Sequence, residues 1–226
     1  HQPHTVSPLF VDFMKHPNIT EILGKVIGPS VKCMQSMYFI KPPGLPGQAW
    51  HQDENYIPTR DRSLCGVWVA LDDATIENGC LWVLPGSHKS GYLYPFRDHN
   101  QPHKYDNAQQ EFGFDETPQI PVEVKKGDVI FFNGYLLHKS EKNQTKTNFR
   151  RAIVYHYMNS FSLLPWGKAD FENTSPAQAD NRKVIQVLGE DPYAWKGYKT
   201  NPNDLYLRKY QAVEVAPKEQ KKAELV

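Results

Sequence analysis

The spacing of apolar residues changes near residue 30. Before it, Leu9, Phe10, Phe13 and Met14 recur at helical intervals, and Ile22, Leu23 and Val26 continue the pattern behind Asn18, a helix-capping residue type. This predicts helices over 8–28, stopped by Pro29. From Val31 onward, apolar residues come in short runs rich in Val, Ile, Phe, Trp and Tyr, predicting strands over 33–40, 65–71, 80–84, 122–124, 128–132 and 151–158. Turn-forming clusters separate them: Lys41-Pro42-Pro43-Gly44, Glu77-Asn78-Gly79, Pro85-Gly86-Ser87 and Lys125-Lys126-Gly127-Asp128. Many short strands after a helical lead-in predict a mainly β sandwich or barrel with helices packed outside. The polar stretch 95–120 is long for a loop in one domain, which marks it as functional or mobile; we expect it to close over the site described below. Beyond 166 the chain is charged, with a helix expected over 181–188 and a frayed Lys/Glu-rich end. No repeat or low-complexity linker divides it. The expectation is one domain over 1–226, its core at about 9–160 and a C-terminal extension at about 166–226.

Composition narrows the partners. Apolar residues make up 39% and aromatics 12%, enough for a substantial core. Lys+Arg number 26 against 25 Asp+Glu, so a net charge of +1 provides no field to draw nucleic acid or an anionic membrane; a small-molecule partner is expected. The cysteines, Cys33, Cys65 and Cys80, are odd in number and irregular in spacing, unlike a disulfide framework or a thiolate zinc site. No apolar run nears the ~18 residues that span a bilayer. A soluble, cytoplasmic protein is the simplest expectation, although the start at His1 points to a segment upstream in which a targeting signal would lie. No pattern fixes an oligomeric state.

The sharpest local feature is Trp50-His51-Gln52-Asp53. On an extended segment, residues two apart project to one face, so His51 and Asp53 can meet one ion. Alone, a His-x-Asp triplet is more often a surface loop. His138 is the best third ligand: it follows the strand-like run Asp128–Phe132 and the turn at Asn133-Gly134, and a sandwich can return that strand beside the first. Two histidines and one carboxylate leave coordination positions open, as non-haem Fe(II) oxygenases require. Such an oxygenase takes electrons from a cosubstrate, 2-oxoglutarate, whose far carboxylate calls for a forked cation in a dry pocket. Arg150, twelve residues after His138, suits that role, with Ser140 adding a hydroxyl; Arg151 is expected to face out. His88, His99 and His103 read as turn or solvated histidines, and His156 as a core histidine.

Taken together these residues resemble the phytanoyl-CoA dioxygenase family of iron and 2-oxoglutarate oxygenases. The shared stretches are Gln35-Ser36-Met37-Tyr38, His51-Gln52-Asp53, Gly66-Val67-Trp68, Glu77-Asn78-Gly79-Cys80-Leu81-Trp82, Pro85-Gly86-Ser87-His88, Lys126-Gly127-Asp128, His138-Lys139-Ser140 and Phe149-Arg150-Arg151-Ala152. The resemblance implies a double-stranded β-helix, the cupin-like jelly roll. It implies iron ligands at His51, Asp53 and His138 and 2-oxoglutarate contacts at Met37, Trp68, Ser140 and Arg150. It implies a dioxygenase that consumes O₂ and 2-oxoglutarate, hydroxylates a small organic molecule and releases succinate and CO₂. Asp53 favours hydroxylation, because halogenating relatives carry a small residue there. A cosubstrate-contacting lysine of the family would fall upstream of His1. The competing expectation is a jelly-roll module that binds metal and ligand without redox chemistry; such a module has no need of Arg150 and Ser140.

Overall fold

The computed structural model describes residues 1–164, 184–198 and 205–207. A 3-10 turn, Pro3–Thr5, leads into α1 (Pro8–Met14) and α2 (Pro17–Val26). Each helix opens on a proline, whose fixed φ and missing N–H suit a first turn. His16 caps α2, its Nδ1 accepting from the Asn18 N–H at 3.3 Å, so Asn18 lies inside the helix that it was expected to cap.

The strands follow: β1 (Val31–Lys41), β2 (Gln48–His51), β3 (Cys65–Ala70), β4 (Leu81–Val83), β5 (Phe96–Arg97), β6 (Gln110–Glu111), β7 (Ile120–Val122), β8 (Val129–Asn133), β9 (His138–Ser140), β10 (Arg150–Asn159) and β11 (Ile185–Leu188). One antiparallel sheet runs β11-β1-β10-β3-β8 and the other β2-β9-β4-β7, while β5 and β6 pair with each other. This is the jelly-roll sandwich with flanking helices that the sequence led us to expect.

Side-chain alternation along β10 divides the core in two. Ile153, Tyr155 and Tyr157 face outward and pack with Val67, Val69 and Cys33 beneath Met14, Ile19 and Leu23 of the helices. The Tyr155 hydroxyl donates to Phe10 O at 2.8 Å and the Tyr157 hydroxyl to Met14 O at 2.9 Å, tying α1 to the sheet. Ala152 and Val154 face inward and meet Trp68, Ala70, Phe132 and Leu81, with Met37 and Phe39 alongside. At Gly66 any Cβ would lie 2.4 Å from the Phe132 ring, so that position accepts no side chain.

A second expectation changes. The described part of 181–188 is strand β11, not helix: Ile185 and Leu188 pair with Cys33 and Val31, and a β-rich edge segment completes the open side of β1. Residues 181–183 and most of the expected extension lie outside the described residues. Parts of the stretch 95–120, which was expected to close over the site when substrate binds, are anchored beside β2. Tyr105 and Glu111 are buried, Phe114 meets the Trp50 ring edge-on at 5.9 Å, and Trp50 Nε1 donates to Glu116 at 2.7 Å. Among the described residues no helix is long and apolar enough to cross a membrane.

Tyr157→Phe, which removes the donor to Met14 O, should lower the unfolding free energy by about 1 kcal/mol. Urea unfolding measures it, and metal affinity should not change.

Candidate metal centre

β2 and β9 pair so that His51 stands directly opposite His138. Their rings lie 4.0 Å apart between centroids, and both are buried. Gln52 continues the extended backbone for one residue, and Asp53 opens the 3-10 turn Asp53–Asn55. The two-residue alternation therefore brings Asp53 back to the face of His51. Both histidine Nε2 atoms lie 3.8 Å from Asp53 Oδ1, and the three ligand-type atoms fall within 4.8 Å of one another.

Hydrogen bonding fixes the tautomers. His51 Nδ1 donates to Ala49 O at 2.8 Å and His138 Nδ1 to Leu136 O at 2.9 Å, since a carbonyl can only accept. In the neutral rings each Nε2 is then a bare lone pair facing a carboxylate oxygen. Burial first, and then the facing His138, push His51 down to about 3, so it is neutral at ordinary pH. Burial opposes ionisation of Asp53, but the fields of His156, His138 and His51 outweigh it and hold the carboxyl well below its usual range. With His51 neutral and Asp53 ionised, ligand-type nitrogen and oxygen atoms of three buried residues face one another, an arrangement that a divalent cation satisfies.

A fourth residue completes the centre. His156, on the inner face of β10, approaches Asp53 Oδ2 at 2.9 Å, and its Nε2 must carry the proton because the carboxylate only accepts. Oδ2 is thereby engaged and Oδ1 is left for the cluster. His156 thus orients the Asp53 carboxylate, a contact its strand setting did not disclose. Gln52, between the two ligands, points the other way and is fully buried. Its Nε2 donates to Tyr92 O at 2.9 Å and Tyr135 O at 2.7 Å, and its Oε1 accepts from Tyr94 N at 2.9 Å. Glu111 accepts from Gln52 N at 2.9 Å, while its Oε2 is buried with no partner among the described residues. Burial pushes the Glu111 carboxyl up to about 7 against the bonds from Asn55 and Gln52. The Ser87 hydroxyl accepts from Leu137 N at 2.9 Å, bracing the residue before His138, whereas His88 is exposed.

The remaining sequence-predicted residues line the same inner face. Met37 and Trp68 are both register partners of Val154, forming one row across β1, β10 and β3. Arg150 begins β10 on that face, 3% exposed, its guanidinium 5.6 Å from the Trp68 ring centre and its Nε without a partner among the described residues. Burial pulls it down to about 10, so it stays a cation. Arg151 turns outward and forks onto Asp72 at 2.7 and 2.8 Å. Ser140 shares the face of His138, two residues along β9.

Residues 1–152 match the family described as phytanoyl-CoA dioxygenase (PhyH). Phytanoyl-CoA dioxygenase 1 of Oryza sativa subsp. japonica is 35% identical over 173 residues, 76% of this chain and 60% of its own length. The phytanoyl-CoA dioxygenase of Arabidopsis thaliana is 33% identical over 161 residues, 71% of this chain and 56% of its own. The chain thus spans somewhat under two thirds of these relatives. Among solved structures, the non-heme monooxygenase ThoJ superposes with a TM-score of 0.67 at 24% identity, covering 84% of this chain and 65% of its own. The epimerase SnoN, in complex with Fe3+, alpha ketoglutarate and nogalamycin RO, superposes with a TM-score of 0.58 at 22% identity, covering 75% of this chain and 66% of its own. These two likenesses establish the fold.

Two outcomes are expected. His156→Leu should weaken divalent-metal binding about 10- to 100-fold, the usual effect of losing an outer partner, and Asp53→Ala should weaken it further, both read by calorimetry on folded protein. Glu111 holds its proton to higher pH in the fold than its ordinary value of 4.5, so the stability it contributes is complete below 4.5 and is lost as pH rises through about 7. Glu111→Gln, which mimics the protonated form, should therefore gain stability relative to the parent, by about 1–3 kcal/mol, between pH 4.5 and 8. Denaturant titrations of both metal-free proteins across that range measure the difference.

Proposed function

This chain belongs to the phytanoyl-CoA dioxygenase family, and from that premise we propose that it is an Fe(II)- and 2-oxoglutarate-dependent oxygenase that hydroxylates a small organic molecule. The observation that carries the reading is one inner face with two complementary ends. At one end His51, Asp53 and His138 bring three ligand-type atoms together; at the other, Arg150 is a buried cation whose Nε has no partner among the described residues. A metal chelated by a dicarboxylate would satisfy both.

Iron at such a centre supplies the chemistry by which O₂ and 2-oxoglutarate become CO₂, succinate and one oxygen atom inserted into the substrate. The chain's own residues bind and orient. The bonds from His51 Nδ1 and His138 Nδ1 to backbone carbonyls fix both rings, and His156 holds the Asp53 carboxylate by Oδ2. Arg150 pairs with the far carboxylate of the cosubstrate through its forked donors, and Ser140 adds a hydroxyl. Met37, Trp68 and Val154 form the apolar wall between the two ends, keeping the charged contacts in a low-dielectric space where they are strong. Asp53 occupies the place where a halogenating enzyme binds halide, which favours hydroxylation.

The test is release of succinate and CO₂ from 2-oxoglutarate over a panel of small-molecule substrates, with iron supplied. Metal binding without any turnover, coupled or uncoupled, would support the non-redox binding module instead. In an active preparation Arg150→Lys should raise the KM for 2-oxoglutarate about 10- to 100-fold, because a point charge cannot replace the fork, while Arg151→Lys leaves it unchanged. A larger effect at Arg151 would refute the assignment.

A further inference from the structure

At the end of β10 away from the metal centre, two buried basic side chains stand side by side. Lys41 and Arg150 are direct partners across β1 and β10, 5% and 3% exposed. Among the described residues neither pairs with a carboxylate. Lys41 Nζ donates to Glu141 O at 2.7 Å, to Ser140 Oγ at 3.0 Å and, more distantly, to Gly79 O at 3.5 Å. Ser140 Oγ also accepts from Gln48 N at 3.2 Å. A hydroxyl has two acceptor sites and one proton, so with both sites taken the Ser140 O–H must donate elsewhere.

The surroundings hold Lys41 in this position. Asn143 is fully buried and its Nδ2 donates to Lys41 O at 3.0 Å. Gly79 has a φ of +83°, and any Cβ there would lie 2.3 Å from Glu141 O and 3.1 Å from Lys41 Nζ. The Glu77-Asn78-Gly79 turn therefore leaves space that the ammonium fills. Burial, and after it the Arg150 charge, push the Lys41 ammonium well below the lysine range, with Asp106 and Glu141 pulling the other way. A buried cation beside another cation is costly, and a lysine serving only to bridge two carbonyls would be cheaper as a neutral donor. An anion between the two cations removes that cost.

We propose that Lys41 is a positioning residue for the far carboxylate of 2-oxoglutarate, holding Ser140 Oγ as a donor and adding a second buried positive charge beside Arg150. The inference rests on the cosubstrate reading above. Its test compares the dissociation constants of 2-oxoglutarate and 2-oxobutyrate, which lacks the far carboxylate, measured anaerobically with Fe(II) for the parent, Lys41→Met, Ser140→Ala and the double variant. Lys41→Met should weaken 2-oxoglutarate about 10- to 100-fold, the worth of a charge-assisted contact, and leave 2-oxobutyrate unchanged. The ligand-free melting temperature should hold or rise, which a structural role for Lys41 would not allow. The double variant should lose less than the product of the single losses. Unchanged 2-oxoglutarate affinity, equal weakening of both oxoacids, or fully multiplicative losses would each overturn the role assigned to Lys41. If the parent itself fails to bind 2-oxoglutarate, the cosubstrate reading falls instead. Should Lys41→Met not fold, Lys41→Gln, which keeps a donor toward Glu141 O without the charge, carries the same comparison.

Discussion

Alternation along β10 is the constraint on which the rest depends. Its outward side chains seat the helices, so strand and helices cannot shift separately. Its inward side chains then have fixed heights: His156 reaches Asp53 at one end, Val154 stands in the row of Met37 and Trp68, and Arg150 meets Lys41 at the other. A one-residue slip against β1 or β3 would turn His156 and Arg150 into the helix layer and Tyr155 toward the metal. The tyrosine hydroxyls bonded to Phe10 O and Met14 O resist that slip from outside. Packing on one face of the sheet thus sets the functional geometry on the other.

The inner face is electrostatically unfinished in a directed way. The metal end has more acceptors than donors, and at the other end the basic groups of Lys41 and Arg150 have no carboxylate partner among the described residues. Both conditions oppose stability in a buried space, and each is the opposite of the other. Neutralising either end by mutation would ease folding while abolishing the attraction for its ligand. Glu111 belongs to the same layer but behind it: its protonated form suits the buried setting, and as a donor-bound neighbour of Gln52 it ties the 95–120 stretch to the ligand segment. That stretch braces the centre from the rear, which explains why a polar segment carries buried residues.

The long strands were legible because their composition and alternation are strong over many residues; the runs 33–40, 65–71 and 151–158 fall on β1, β3 and β10. β2 and β9, which carry the histidines, were legible only as chemistry, since Gln48–His51 and His138–Ser140 are too short to show a period. The stretch 181–188 has no local feature that tells an edge strand from a helix, and only pairing with β1 decides it. His156 and Lys41 were illegible for a related reason. Each is significant through a partner 103 or 99 residues away, and no local pattern reports which strands lie side by side.

Motif residues that bear no ligand atoms acquire a physical meaning once the strands are placed. Asn78 accepts from Thr75 N and donates to Asp73 O, both at 2.8 Å, closing the turn that brings Gly79 against Glu141. Ser87 braces Leu137 beside His138. Outside those motifs, Gly47 lies so close to Ser140 that a Cβ would overlap its carbonyl, so β2 and β9 can approach only with glycine there. These positions hold β9 from several sides, and β9 is the strand on which His138 and Ser140, the proposed metal ligand and carboxylate donor, sit two residues apart. A three-residue strand has little pairing energy of its own. Its precision is imposed by the turns around it, which is why the sequence is as distinctive in those turns as at the ligands themselves.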